Sequence, residues 1–151
     1  MTGAEAGGAP RIGEPAPEAG ARSARPWGCA LKPEHITVRV CTTCRVEGDA
    51  SEAKAGARLH AALVAARRDD DPEIAAVECF SVCKRPCTVS FSAPGAWTYV
   101  YGDFPAETDP AEIFAAARLY AAAPQGLIPW RERPVALKKG VVARLPPMES
   151  A

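Results

Sequence analysis

The order of sequence signals predicts an α/β fold, a two-layer sandwich with one sheet and helices packed on it. Two observations carry this. Residues 36–78 run strand, helix, strand, and residues 88–126 run strand, strand, helix. Parallel strands joined through a helix need a right-handed crossover, whereas strands joined by a tight turn pair antiparallel. The two units therefore complete one mixed sheet.

Ile36-Thr37-Val38-Arg39-Val40 alternates with period two and is rich in β-branched side chains, which suit a pleated, half-buried strand. It runs directly into Cys41. Residues 45–54 are polar and contain Gly48, the composition of a loop. Ala55–Arg68 reads as a helix with Leu59, Ala62, Leu63 and Ala66 on one face. Asp69-Asp70-Asp71-Pro72 ends it as a solvated turn, since proline disfavours helical geometry in the residue before it. Ile74–Glu78 is a second short strand and leads into Cys79. Thr88–Ser92 and Trp97–Tyr101 are strands joined by Ala93-Pro94-Gly95-Ala96, where proline presets φ and glycine accepts φ > 0. Thr108 or Asp109 caps a second helix that has Pro110 in its first turn. That helix carries Ile113, Phe114, Ala117 and Tyr120 inward and stops near Gly126. The arrangement is thioredoxin-like in minimal form.

The chain divides into three regions. Nineteen of residues 1–34 are Ala, Gly or Pro, so this stretch reads as a disordered tail, and it lacks the basic start and apolar run of a secretory signal. Residues 35–126 form the domain. Residues 127–151 form an irregular basic extension packed on or flanking it, whose prolines exclude a long helix and whose Val141–Leu145 segment suits an edge strand. No apolar run nears the ~20 residues that span a bilayer, so the expected location is the cytoplasm and no membrane partner is expected. The formal net charge is zero, which argues against a nucleic-acid partner. That zero sums unlike regions: residues 46–78 hold eight acids and four bases, while 127–147 carry a net +4. The basic segment reads as an edge cover for the sheet or as a docking element for an acidic partner.

Five of the six cysteines fall in two clusters, Cys41-x2-Cys44 and Cys79-x3-Cys83-x3-Cys87, each directly after a strand. If those strands are parallel neighbours, both loops emerge at the same end of the sheet. Four thiolates from two loops hold a [2Fe–2S] cluster or a tetrahedral Zn²⁺. Without a secretory signal, metal is favoured over structural disulfides. Cys29 lies in the tail and is read as functionless; His35 and His60 are read as a strand-entry residue and a helix-surface residue. Arg39, Arg45, Lys84 and Arg85 stand next to the clusters in sequence, either as solvated charges or as counter-charges to a bound cluster.

Val77-Glu78-Cys79-Phe80-Ser81-Val82-Cys83-Lys84-Arg85-Pro86, followed by the hairpin ending in Trp97-Thr98-Tyr99-Val100, resembles the second half of thioredoxin-like [2Fe–2S] ferredoxins. The whole span from Ile36 to Pro147 is closer to a bacterial family of predicted metal-binding proteins, domain of unknown function family 1636. The motifs that carry this are Cys-Thr-Thr-Cys at 41–44, the Cys79/Cys83/Cys87 run, and Gly-Leu-Ile-Pro-Trp-Arg-Glu-Arg-Pro at 126–134. The resemblance implies a ligand set of Cys41, Cys44, Cys79 and Cys83, with Cys87 as a fifth candidate, and a cobalamin- or cobalt-associated setting. The ferredoxins separate their first two ligands by more residues than stand between Cys41 and Cys44, so either Cys44 or Cys87 completes the set.

Three functions follow. The first is a ferredoxin-type electron carrier or sensor with a redox or metal-handling protein as partner, not an enzyme in its own right, with a homodimer left open. The second is a zinc or cobalt-pathway metal-delivery module on the same thiolates. The third is a thiol–disulfide oxidoreductase using Cys41-x2-Cys44, for which Pro86 stands where thioredoxins keep a cis-proline. Against it, a roughly ten-residue loop separates the motif from the next helix, whose N-terminus would otherwise lower the first thiol's pKa.

Overall fold

Val38 and Val40 must be buried while Thr37 and Arg39 need not be, and this alternation fixes how the first strand sits. In the computed structural model, which describes residues 31–148, β1 (Thr37–Cys41) lies inside a five-stranded sheet. The other strands are β2 (Glu73–Val77), β3 (Val89–Ser92), β4 (Thr98–Tyr101) and β5 (Val141–Leu145), in the spatial order β2-β1-β3-β4-β5. β1 and β2 are parallel, and the remaining pairs are antiparallel. Three helices accompany them: α1 (Ala55–Ala66), α2 (Pro110–Ala122) and α3 (Val135–Lys139). The result is a mixed α/β fold.

The register places Val38 opposite Phe91 and Phe91 opposite Tyr99, with Val40 opposite Val89 and Val89 opposite Tyr101. Directly opposed residues share a face, so these six buried side chains form one apolar surface. Leu59 and Leu63 of α1, with Ile113, Phe114, Ala117 and Tyr120 of α2, complete the core. Tyr99 stacks on Tyr101 with ring centroids 5.5 Å apart, and Phe91 meets Tyr101 edge-on at 5.6 Å. Such pairs add to the burial of their area.

Most expected elements occur within a residue or two of their anticipated bounds. The hairpin turn closes through Ala96 N–H to the Ala93 carbonyl (3.2 Å), with Gly95 at φ +71°. Asp109 caps α2 by accepting the Ala111 N–H at 2.9 Å. The solvated turn expected at Asp69–Asp71 needs correction at one residue. Asp71 is buried, accepting from the Arg118 guanidinium at 2.8 Å and from the Arg68 N–H at 3.1 Å. Arg118 lies 47 residues away, beyond any local reading of an acidic run.

Of the tail, residues 1–30 lie outside the described residues; Leu31 donates its N–H to the Ala121 carbonyl (3.0 Å) at the end of α2. Beyond Gly126, α3 occupies the short interval between Pro134 and Gly140, and Val141–Leu145 forms the edge strand β5. No helix among the described residues is long and apolar enough to cross a membrane.

Candidate thiol and metal site at the carboxyl end of the parallel strands

β1 ends at Cys41 directly opposite Val77, the last residue of β2, so both cysteine loops leave the same end of the sheet. The loops are stitched together there. Thr42 donates its N–H to the Val77 carbonyl at 2.8 Å, and the Cys41 thiol and the Thr43 hydroxyl both reach the Glu78 carbonyl, the thiol at 3.5 Å. Cys79 Sγ accepts the Ser81 N–H at 3.1 Å, across a turn in which Ser81 takes φ +59°.

The five cysteines divide by depth. Cys41, Cys44 and Cys87 are buried, whereas Cys79 and Cys83 are exposed, and all five are free thiols. Burial works against a Cys41 thiolate, but hydrogen bonds from the Cys44 thiol, the Phe80 backbone and Thr43 outweigh it and hold the thiol below its usual range. Burial raises Cys44, and its neighbour Cys41 adds to the rise. Burial also pushes the Cys87 thiol up to about 12, with further contributions from Cys44 and Cys41. Among the described residues, no three Cys, His, Asp or Glu side chains converge on a point where a metal ion would be held. The fold thus brings Cys41 and Cys44 into contact, sets Cys87 near them, and leaves Cys79 and Cys83 on the adjoining exposed loop. Cys29 lies outside the described residues.

Three residues outside the cysteine motifs shape this site. Gly56, in the first turn of α1, donates its N–H to the Cys44 carbonyl at 3.2 Å. A Cβ there would stand 1.9 Å from the Cys41 carbonyl oxygen. The loop from 45 to 54 therefore folds back and seats the start of α1 on the Cys41–Cys44 turn; separation in sequence did not mean separation in space. Thr43 bridges to the second loop, as described above. Arg85 pairs with Asp103 at 2.6 Å, so it is no free counter-charge for the thiols. Arg39 is likewise engaged, donating to Ser92. A glycine two residues into a helix that follows a cysteine loop is the one local sign that could have flagged Gly56. The cis peptide bond in the second loop lies between Pro86 and Cys87, after the proline instead of before it.

Depth sets an expected labelling order. Iodoacetamide on the reduced native protein should modify Cys79 and Cys83 first, then Cys41, and Cys87 last, with Cys87 reacting only on unfolding; peptide mass mapping against time reads this order. Early labelling of Cys87 would contradict its placement.

Fold and site together define a small mixed α/β domain with a cluster of free thiols at one end of its sheet. The chain belongs to the family described as a protein of unknown function (DUF1636), whose family profile matches residues 38–147. No curated protein and no solved structure matches the chain.

Proposed function

We propose that the chain is a thiolate metal-site protein of thioredoxin-like architecture that carries a [2Fe–2S] cluster and serves as an electron carrier or sensor for a redox or metal-handling partner. The observation that carries this reading is the stitching of two cysteine loops at one sheet end through the Glu78 carbonyl. The thioredoxin-like reading is supported by β1 and β2 running parallel beside the antiparallel β3–β4 hairpin.

The donor chemistry fits such a group. The candidate ligands Cys41, Cys44, Cys79 and Cys83 are all sulfur, which suits an iron–sulfur cluster or a soft-site Zn²⁺. The Phe80 backbone stabilises thiolate charge on Cys41, and the Ser81 N–H donates to Cys79 Sγ in the second loop. A bound cluster supplies one-electron redox chemistry; the chain holds it, tunes its charge and limits water at Cys41 and Cys44. Assembly requires the exposed Cys79–Cys83 loop to turn its sulfurs toward the buried pair. Cys87 is the fifth candidate, and its depth makes it a replacement ligand only if Cys44 stays out.

Anaerobic purification followed by iron, sulfide and zinc analysis, with visible and EPR spectra, tests this. The expected result is about two irons and two labile sulfides per chain. Cys79→Ser and Cys83→Ser should each lose most of the iron, while Cys87→Ala keeps it. A colourless protein with neither iron nor sulfide after reconstitution would sink the proposal, and stoichiometric zinc without sulfide would replace it with metal delivery.

One observation favours a second reading, thiol–disulfide exchange at Cys41–Cys44. The start of α1 rests on that turn through Gly56, and Cys41 is the more acidic of two touching thiols. Reduction of a model disulfide by the metal-free protein, abolished by Cys41→Ser, distinguishes it.

A further inference from the structure

Arg85 holds together two parts of the chain that sequence keeps far apart. Its Nε and Nη2 donate to Asp103 at 2.9 and 2.6 Å, its Nη1 to the Val141 carbonyl at 3.1 Å, and its Nη2 to the Lys139 carbonyl at 2.9 Å. The planar guanidinium fork makes this multidentate grip possible. The corner between α3 and β5 is thereby fixed against the second cysteine loop. Gly102 N–H donates to the Gly140 carbonyl at 2.8 Å, and neither glycine has room for a side chain: a Cβ on Gly102 would meet the Arg85 carbonyl at 2.7 Å, and one on Gly140 the Ala136 carbonyl at 2.6 Å.

This grip spends the Arg85 charge on Asp103 but delivers others. Lys138 and Lys139 close α3, and the Lys139 carbonyl accepts from Arg85, which follows Lys84 and the exposed Cys83 in the chain. None of these three lysines has a carboxylate partner among the described residues. Covering the sheet edge explains the pairing of β5 with β4, but it does not explain why the corner tied to Arg85 carries lysines without a carboxylate partner among the described residues.

We propose that Lys84, Lys138 and Lys139, carried on the two segments that the Arg85 grip joins next to Cys83, form a docking surface for a carboxylate-rich protein partner. This deepens the metal-site reading and rests on it, because transfer of an electron or a metal requires the partner to approach the exposed cysteines. Charges at the rim of such a contact steer encounter and fix orientation more than they add affinity. The patch suits a protein more than a nucleic acid: a protein gripping the phosphate backbone makes roughly 6–10 cationic contacts, and here the joined segments carry three lysines while Asp103 takes up the charge of Arg85.

The test is a titration of the ¹⁵N-labelled full chain with a polyglutamate peptide at low salt, performed on metal-free and on reconstituted protein. Amide shifts should cluster at residues 83–85 and 138–141. Combined Lys84→Glu, Lys138→Glu and Lys139→Glu should weaken binding about tenfold or more, with melting temperature and bound iron unchanged, while Arg131→Glu leaves binding intact. Shifts centred elsewhere, or an affinity unaltered by the triple reversal, would overturn the docking surface. So would a DNA duplex that displaces the peptide from the same residues with higher affinity. A protein that never takes up metal but shows the localised shifts refutes the metal reading alone; a loaded protein without them refutes the docking surface alone.

Discussion

Gly56→Ala is expected to cost about 3 kcal/mol of folding stability, the upper part of the range for forcing atoms into a packed interior. At an exposed helical site the same change would gain up to about 1 kcal/mol, so the sign is diagnostic. The new methyl would sit 1.9 Å from the Cys41 carbonyl oxygen and 3.1 Å from Cys44 Cβ. Neither neighbour yields easily, because Cys41 is held in β1 opposite Val77 and donates its N–H to the Thr88 carbonyl at 3.0 Å. The start of α1 must lift away instead, opening the turn that carries both buried thiols. A thermal melt should show a fall of roughly 10 °C or more, accompanied by faster alkylation of Cys41 and Cys44. A variant as stable as the parent, with unchanged labelling, would mean that α1 does not rest on the cysteine turn.

The second large effect concerns Gly126, the first residue of the Gly-Leu-Ile-Pro-Trp-Arg-Glu-Arg-Pro motif. It takes φ +73°, and a Cβ there would fall 2.3 Å from the Tyr120 ring. That ring is buried and its hydroxyl donates to the Trp97 carbonyl at 2.6 Å, while Trp97 N–H donates back to the Gln125 carbonyl at 2.9 Å. Gly126→Ala therefore meets a left-handed backbone penalty of ~1–2 kcal/mol together with a collision that Tyr120 can relieve only by breaking its hydrogen bond. A total near 3 kcal/mol is expected. Gly95 separates the two contributions, because its φ is +71° and nothing lies within 4 Å of its Cβ position. Gly95→Ala should cost only the backbone part, about 1 kcal/mol. Equal losses at the two positions in denaturant melts would show that the Tyr120 contact contributes nothing.

These glycines mark the boundary of what sequence can convey. Strands announced themselves where burial alternates with local period, as in Val38 and Val40 of β1, and where a Pro-Gly turn separates them. The cap of α2 was equally legible, since Asp109 and its acceptor role toward Ala111 are two residues apart. The location of the thiol site was legible too, because each cysteine cluster follows a strand and those strands pair in parallel. What stayed hidden depends on partners distant along the chain. Asp71 reads as one more acid in a solvated run until Arg118 reaches it; Arg85 reads as a loop cation until Asp103 and the α3–β5 corner take up its donors. The division of the cysteines into buried and exposed sets has the same origin, since spacing says which loop a thiol occupies but not what covers it. The loop before α1 hides its return for a simpler reason: its length in sequence implies distance, although it folds back onto its own starting point.

The position of β5 also bears on how the chain is made. Among the described residues, β4 pairs on one side with β3 and on the other with Val141–Leu145, the last of the five strands in chain order. A nascent chain that has cleared the ribosome only as far as residue 140 carries a finished hairpin whose outer row of N–H and C=O groups has no mate. Translation adds roughly 5–20 residues per second, so the interval is brief in ordinary synthesis. A message broken ahead of that codon makes the interval permanent, and the product is then a domain with an adhesive strand edge instead of a slightly shorter version of the same fold.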